Sequence, residues 1–125
     1  MLKILTLFCV RVIFIVKIIV KKRKLRNILN SKKELIKQYG NDMADKIMQR
    51  IDDISKIENL ENLMELPGRH HLLEGDKKGY FACDLKQPYR LIYKPANNPL
   101  PKRADGSLIY SEVTEIEIIE IINYH

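Results

Sequence analysis

Apolar and polar positions divide the chain into an apolar N-terminal run, a helical middle and a series of short strands. The segment "VIFIVKIIV" is rich in β-branched residues, which predicts a buried first strand. Ser31 is placed to cap a helix that Gly40 ends, and Asn41 is placed to cap a second helix. An apolar stripe at helical spacing predicts that the second helix packs on the core, in an antiparallel hairpin with the first. The stripe consists of Met43, Ile47, Ile51, Ile54 and Ile57, with Met48 beside it.

The second half of the chain alternates short apolar runs with turn signals. Pro67–Gly68 marks a break after the helices. Three strand-like segments follow this break: "RHHLL", "YFACDL" and "YRLIYK". Their short connections suit antiparallel hairpins, and a proline-containing loop then leads to a last strand from about Ile109 to Ile122. This order predicts an α+β domain with an N-terminal strand, a two-helix hairpin and an antiparallel sheet of about four strands, with the helices packed on one face.

The first 20 residues are apolar enough to raise the question of a membrane span. Charges at Lys3, Arg11 and Lys17 leave no uncharged run near the ~18 residues that a span needs, and no cleavage site typical of a secretory signal follows. We expect residues 1–15 to be an N-terminal extension and residues 16–125 to be the folded domain. A weak membrane-associating role for this segment is the alternative.

The chain of 125 residues carries a net charge of +6, which favours an anionic partner but is also compatible with solubility alone. Basic sections at residues 1–39 and 67–106 flank an acidic helical section, so we expect a basic face on the folded protein. The two cysteines, Cys9 and Cys83, lack metal-type spacing, and we expect a cytoplasmic protein.

Polar groups that could carry chemistry are scattered at the predicted strand ends. They are Arg69, His71, Lys77, Lys78, Tyr89, Arg90, Tyr124 and His125. His70 and His71 are adjacent on one strand and face opposite sides, so they cannot together ligate a metal, and we expect no metal and no cofactor. Imidazoles, phenols and guanidiniums suit metal-free cleavage of RNA through its own 2′-OH, with proton transfer by the imidazoles and cationic stabilisation of the phosphorane. The aromatic rings suit stacking on bases.

Each of these residues also has an ordinary structural interpretation. An exposed histidine is commonly a solvated surface residue, and any exposed hairpin turn can carry Lys77 and Lys78. Tyr89 on an apolar strand is commonly half-buried in the core. Arg90 is harder to explain in this way, because a charge within a strand needs a partner or a solvent-facing function.

The segment "RHHLLEGDKKGYFACDLKQPYRLIYKP", together with the terminal "NYH", resembles the HigB-like killer branch of the RelE/ParE toxin superfamily. The resemblance covers residues 16–125 and rests on the order and spacing of several short motifs. The matching positions are Arg69, His71, Leu73, Gly75–Gly79, Asp84, Leu85, Pro88–Ile92 and Tyr124–His125.

The resemblance implies a cytoplasmic toxin of a type II toxin–antitoxin pair, which cuts mRNA on the ribosome without a metal. It also implies a helix-turn-helix antitoxin partner, with operator DNA bound only through the toxin–antitoxin complex. His71, Arg90, Tyr124 and His125 would be the catalytic residues, with Arg90 on the scissile phosphate. The RNA-binding residues would be Arg69, Lys77, Lys78 and Tyr89.

Two positions depart from the family pattern. Glu74 stands where better-known members carry a basic residue, and its carboxylate would repel phosphate. Asn123 stands where many members carry an aspartate. These departures leave two alternatives open, a ParE-like inhibitor that binds DNA gyrase without catalysis and a degenerate toxin that only binds its antitoxin.

Overall fold

A computed structural model of the chain describes residues 15–123. Its helices are α1 (Arg23–Leu29), α2 (Lys32–Tyr39), α3 (Asn41–Ser55) and α4 (Leu60–Leu63). Its strands are β1 (Lys17–Ile19), β2 (His71–Leu72), β3 (Phe81–Asp84), β4 (Tyr89–Pro95) and β5 (Glu115–Asn123). Two short 3₁₀ turns, Gly75–Lys77 and Tyr110–Glu112, precede β3 and β5. The α+β class, the N-terminal strand and the helical hairpin predicted from the sequence are confirmed, although β1 is only partly buried, with Lys17 exposed.

The strands form one five-stranded sheet in the order β1-β5-β4-β3-β2. Strands β2 to β5 pair antiparallel with their neighbours, whereas β1 pairs parallel with β5. The ladder between β4 and β5 is the longest, with a bulge near Ile92 and Tyr93. Strand β5 therefore lies inside the sheet, between the first described strand and the three-stranded meander.

The helical hairpin begins and turns at the predicted residues. The Ser31 hydroxyl accepts a hydrogen bond from the backbone N–H of Glu34 at 3.2 Å, which caps α2. Gly40 ends α2 with a φ of +87°, a conformation that glycine adopts without the Cβ clash of other residues. The predicted cap at Asn41 is wrong, because Asn41 is already helical and Gly40 occupies the position before the helix.

The main core lies between the helices and one face of the sheet. Ile47 and Ile54 on α3, like Leu91 and Ile118 on the sheet, are fully buried in it. The α3 stripe predicts this packing, although Met48 at its edge is 39% exposed. The opposite face of the sheet carries only a small apolar cluster that includes Ala82 and Ile92, and this cluster contains no helical residue. Within residues 15–123, the helices thus cover one face of the sheet and leave the other, the open face, without a helical layer.

Strand β5 begins later than predicted. The stretch from Ile109 continues into the 3₁₀ turn at Tyr110–Glu112. There the Tyr110 ring contacts the Phe81 ring edge-on, with the ring centroids 5.7 Å apart. Residues 1–14, which include Cys9 and most of the predicted N-terminal extension, lie outside the described residues. Within residues 15–123, no helix has the length and apolar character that crossing a bilayer requires.

Candidate functional site on the open face of the sheet

The strand register brings three polar side chains, those of His71, Asp84 and Arg90, together on the open face. His71 pairs with Ala82, and Asp84 pairs with Arg90. Directly opposed residues of antiparallel strands project to the same face, and residues two apart on one strand do so as well. His71, Asp84 and Arg90 therefore lie on the face that carries Ala82, away from the helices.

The Asp84 carboxylate joins two arginines. Arg69 donates to it twice, from Nε to Oδ2 at 2.7 Å and from Nη2 to Oδ1 at 3.3 Å. Nε of Arg90 lies 3.6 Å from Oδ1 of the same carboxylate. The hydrogen bond from Arg69 lowers the pKa of Asp84, so the carboxylate is ionised throughout the physiological range. Two guanidinium groups are thereby held around one anion at the end of β3.

Arg69 and His71 are brought together through the backbone. Nδ1 of His71 lies 2.6 Å from the carbonyl oxygen of Arg69. Because a carbonyl oxygen only accepts hydrogen bonds, Nδ1 must carry the proton in this contact. In the neutral ring Nε2 is then the basic nitrogen. The contact therefore fixes the tautomer in which Nε2 of His71 can accept a proton from a substrate.

The turn that carries Arg69 is shaped by a glycine and a buried arginine. Gly68 has a φ of +115°, and a Cβ at this position would lie 2.8 Å from Nε of Arg50. Arg50 extends from α3, is only 8% exposed and donates a hydrogen bond from Nε to the carbonyl oxygen of Asp84 at 2.9 Å. The N–H of Asp84 donates to the carbonyl oxygen of Gly68 at 2.7 Å. Helix α3 thus supports the site from beneath the sheet.

His70 has a different environment from His71. It is buried, and its Nδ1 shares a hydrogen bond of 2.9 Å with the Tyr93 hydroxyl. Burial, with the nearby charge of Arg50, lowers the pKa of His70 to about 4, so its ring is neutral at physiological pH. The prediction that the adjacent histidines face opposite sides is confirmed, and His70 is a packing residue.

The three other predicted RNA-binding residues have surroundings that differ from those of Arg69. Lys77 forms an ion pair with Glu120 of β5 at 3.3 Å, and Lys78 is exposed on the turn before β3. Tyr89 packs against the main core, and its ring meets Tyr39 of α2 edge-on with the ring centroids 6.4 Å apart. The Tyr89 side chain therefore projects to the helical face, opposite to Arg90.

The predicted catalytic residues Tyr124 and His125 lie outside the described residues. Asn123, directly before them in the sequence, is exposed and pairs with Tyr89, while Ile122 pairs with Arg90. The end of β5 therefore lies beside the start of β4. Whether these two residues belong to the site stays a prediction.

Two residues of the site, Asp84 and Arg50, are not among the functional candidates that the sequence predicts. The signal for Asp84 was an acid at the end of an apolar strand, one short turn before Arg90. Arg50 offered no comparable signal beyond being a charged residue close to the apolar stripe of α3. Within residues 15–123, no group of three or more His, Cys, Asp or Glu side chains is placed to hold a metal ion.

Among the solved structures that resemble this chain are a YoeB/ParE toxin and a YoeB-YefM complex. A YoeB/ParE toxin from Agrobacterium tumefaciens matches with a TM-score of 0.55 and 15% identity, over 87% of this chain and 99% of the other. A chain of the YoeB-YefM complex from Staphylococcus aureus matches with a TM-score of 0.52 and 18% identity, over 88% and 97% of the two chains. No protein-family model and no curated protein matches the sequence. These matches show that the chain adopts the RelE/ParE-like toxin fold. Identities this low establish the fold alone.

Proposed function

We propose that the protein is the toxin of a type II toxin–antitoxin pair, a HigB-like, metal-free endoribonuclease that cleaves mRNA on the ribosome. The observation that carries the proposal is the grouping of Arg69, His71 and Arg90 on the open face of the sheet. An oriented imidazole can supply the base, and two guanidiniums the cationic stabilisation, for phosphodiester cleavage through a 2′-OH. The resemblance in "RHHLLEGDKKG" and "PYRLI" points to the same chemistry.

The reaction can be written for named residues. Nε2 of His71 accepts the proton of the 2′-OH, and the 2′-oxygen attacks phosphorus. The guanidinium of Arg90 stabilises the charge that develops on the phosphoryl oxygens. The bond from phosphorus to the 5′-oxygen breaks, and His125 donates a proton to the leaving oxygen. Tyr124 is the remaining residue of the proposed catalytic set. The products are a 2′,3′-cyclic phosphate and a free 5′-OH.

The proposed partners are a cognate antitoxin, the ribosome and mRNA. A structural neighbour that is itself a complex, YoeB-YefM, supports an antitoxin partner. The exposed Lys78 and Arg69 are suited to contacts with RNA phosphates, whose contribution to binding weakens as the salt concentration rises. Operator DNA would be bound only through the complex with the antitoxin.

The test is mRNA cleavage in a purified translation system, with cut sites mapped by primer extension. We expect the wild-type protein to produce ribosome-dependent cuts, and Arg90→Ala and His125→Ala to lower the cleavage rate by at least about 100-fold. Lys33→Ala is the control, since it removes one exposed positive charge on α2, away from the site. Full activity of both site variants would contradict the proposal.

A ParE-like inhibitor of DNA gyrase is the second candidate, because one structural neighbour is described as a YoeB/ParE toxin and Glu74 is an exposed acid where the family pattern has a basic residue. Supercoiling assays separate the two functions. Blocked supercoiling with intact translation would favour this candidate. Antitoxin binding with neither activity would identify a degenerate toxin.

A further inference from the structure

The Asp84 carboxylate has an unusual position for an acid in a site proposed to bind phosphate. Both of its oxygens face guanidinium groups, with Oδ2 on Arg69 and Oδ1 on Arg69 and Arg90. The acid is only 18% exposed. A bare carboxylate here would repel RNA, so its presence between two cations needs an explanation.

The backbone of Asp84 is held on both sides. Its N–H donates to Gly68 and its carbonyl oxygen accepts from Arg50, at 2.7 Å and 2.9 Å. The carboxylate therefore projects from a fixed point of β3. A group placed on a rigid strand can hold a long, flexible side chain in one orientation.

Arg69 shows what this contact achieves. Its side chain is 64% exposed, and without a partner it would sample many rotamers. Asp84 binds its Nε and Nη2, which orients the plane of the guanidinium and directs its remaining N–H groups away from the carboxylate. A planar guanidinium held along one edge can still bind a phosphate through its other edge.

We propose that Asp84 is a positioning residue, which fixes Arg69 and Arg90 relative to each other as a two-arginine clamp for one phosphodiester of the RNA. This inference rests on the proposed function for its substrate. Asp84 itself contacts no reacting atom, and it acts only through the two guanidiniums.

Loss of positioning and loss of a negative charge predict opposite effects of Asp84→Asn on cleavage. Asp84→Asn removes a negative charge, so Coulomb attraction alone predicts tighter RNA binding and unimpaired cleavage. Loss of positioning predicts that kcat falls while KM does not rise, because the cations remain but no longer match the transition state.

The cleavage experiment measures kcat and KM for ribosome-dependent cleavage by the wild type and by Asp84→Asn. Asp76→Asn is the control, because it makes the same charge change at an exposed acid of the neighbouring turn. We expect Asp84→Asn to lower kcat by about 10- to 100-fold and the control to stay within about twofold of the wild type. We also expect the free-energy effects of Asp84→Asn and Arg69→Ala to be less than additive in the double variant, because both changes remove the same ion pair. An unchanged kcat for Asp84→Asn would overturn the proposal.

A second measurement separates this proposal from the proposed function. The ¹⁵N-labelled protein gives side-chain Nε–Hε signals for its arginines, and we expect the Arg69 signal to be protected from solvent exchange in the wild type and to lose this protection in Asp84→Asn. The signal should also shift on addition of a short 2′-O-methyl RNA, which cannot be cleaved. Failure of the wild type to cut mRNA would reject the proposed function. Retention of the protected Arg69 signal in Asp84→Asn, or no shift with the RNA, would reject the clamp.

Discussion

Nε of Arg50 donates a hydrogen bond to the backbone carbonyl oxygen of Asp84 at 2.9 Å, which joins helix α3 to the strand that carries the site acid. Arg50 is buried, with Asp53 of the same helix as a more distant ion-pair partner at 3.8 Å. The site therefore depends on a side chain that lies on the helical side of the sheet.

Replacement of Arg50 should destabilise the protein. Arg50→Met keeps the length of the side chain but leaves the carbonyl oxygen of Asp84 without this donor, so we expect the free energy of unfolding to fall by about 2 kcal/mol. Urea denaturation measures this change. Arg26→Met is the control, because Arg26 also donates to a backbone carbonyl but is exposed, and we expect its loss to stay below about 0.5 kcal/mol. Equal losses in the two variants would contradict this role.

Gly68→Ala should be costly for two reasons. The φ of +115° strains any residue with a Cβ, and the added Cβ would lie 2.8 Å from Nε of Arg50. We expect a loss of about 3 kcal/mol in the free energy of unfolding. Gly79→Ala provides the comparison, since Gly79 also has a positive φ but has open space around it. Backbone strain alone should lower the free energy of unfolding of this variant by about 1 kcal/mol. If the two variants lose the same stability, the Arg50 contact does not constrain Gly68.

Burial of His70 predicts a loss of stability in mild acid. Its pKa is lowered from 6.5 to about 4, so as the pH falls below 6.5 the unfolded chain takes up a proton that native His70 does not. Stability should therefore fall by about 2 kcal/mol between about pH 7 and about pH 4.5. The groups around the ring are Arg50, Tyr93, His71 and Asp84. The contribution of Asp84 is lost only at lower pH, because its pKa is lowered.

The variant that checks this effect is His70→Gln, which cannot take up a proton. Urea denaturation at several pH values should show a smaller loss of stability in acid for this variant than for the wild type. His71→Gln keeps the buried imidazole of His70 and should therefore lose more stability in acid than His70→Gln does. An unchanged dependence in His70→Gln would assign the effect to other groups.

Variants of Tyr89 distinguish packing from base stacking. Because the ring packs against the core and meets Tyr39, we expect Tyr89→Ala to lose about 2 kcal/mol of stability. Tyr89→Leu keeps apolar volume without the ring, and we expect it to cleave mRNA within about twofold of the wild type. A large loss of cleavage in Tyr89→Leu at unchanged thermal stability would instead support the predicted RNA-binding role.

The sequence predicts elements well where local signals are strong. Ser31 and Gly40 mark the ends of one helix by their own chemistry, and the α3 stripe predicts its buried face. The sequence does not predict helix α1, because its first turn holds basic residues and no capping side chain. The sequence predicts too early a start for β5, because the apolar and polar positions after Ile109 continue through a 3₁₀ turn whose Tyr110 ring packs against Phe81, a tertiary contact that a local pattern does not show.

The site was predictable in its residue types but only partly in its geometry. Arg90 and His71 were identified because charged and imidazole groups at strand ends require an explanation. The role of Asp84 depends on the register of β3 with β4, which a single sequence does not specify. The orientation of Tyr89 depends on the same register, and the contact of Arg50 requires the packing of α3 beneath the sheet.

The parallel pairing of β1 with β5 has a consequence for the order of folding. These strands lie near opposite ends of the described chain, and β5 is the last of the described strands to be synthesised. The meander of β2, β3 and β4 forms from nearby residues, whereas β5 must enter between β4 and a β1 strand made much earlier. Such distant contacts form slowly, since a long loop must close first. The ladder beside Arg90 is therefore completed late, so a nascent chain completes this sheet only after β5 has emerged.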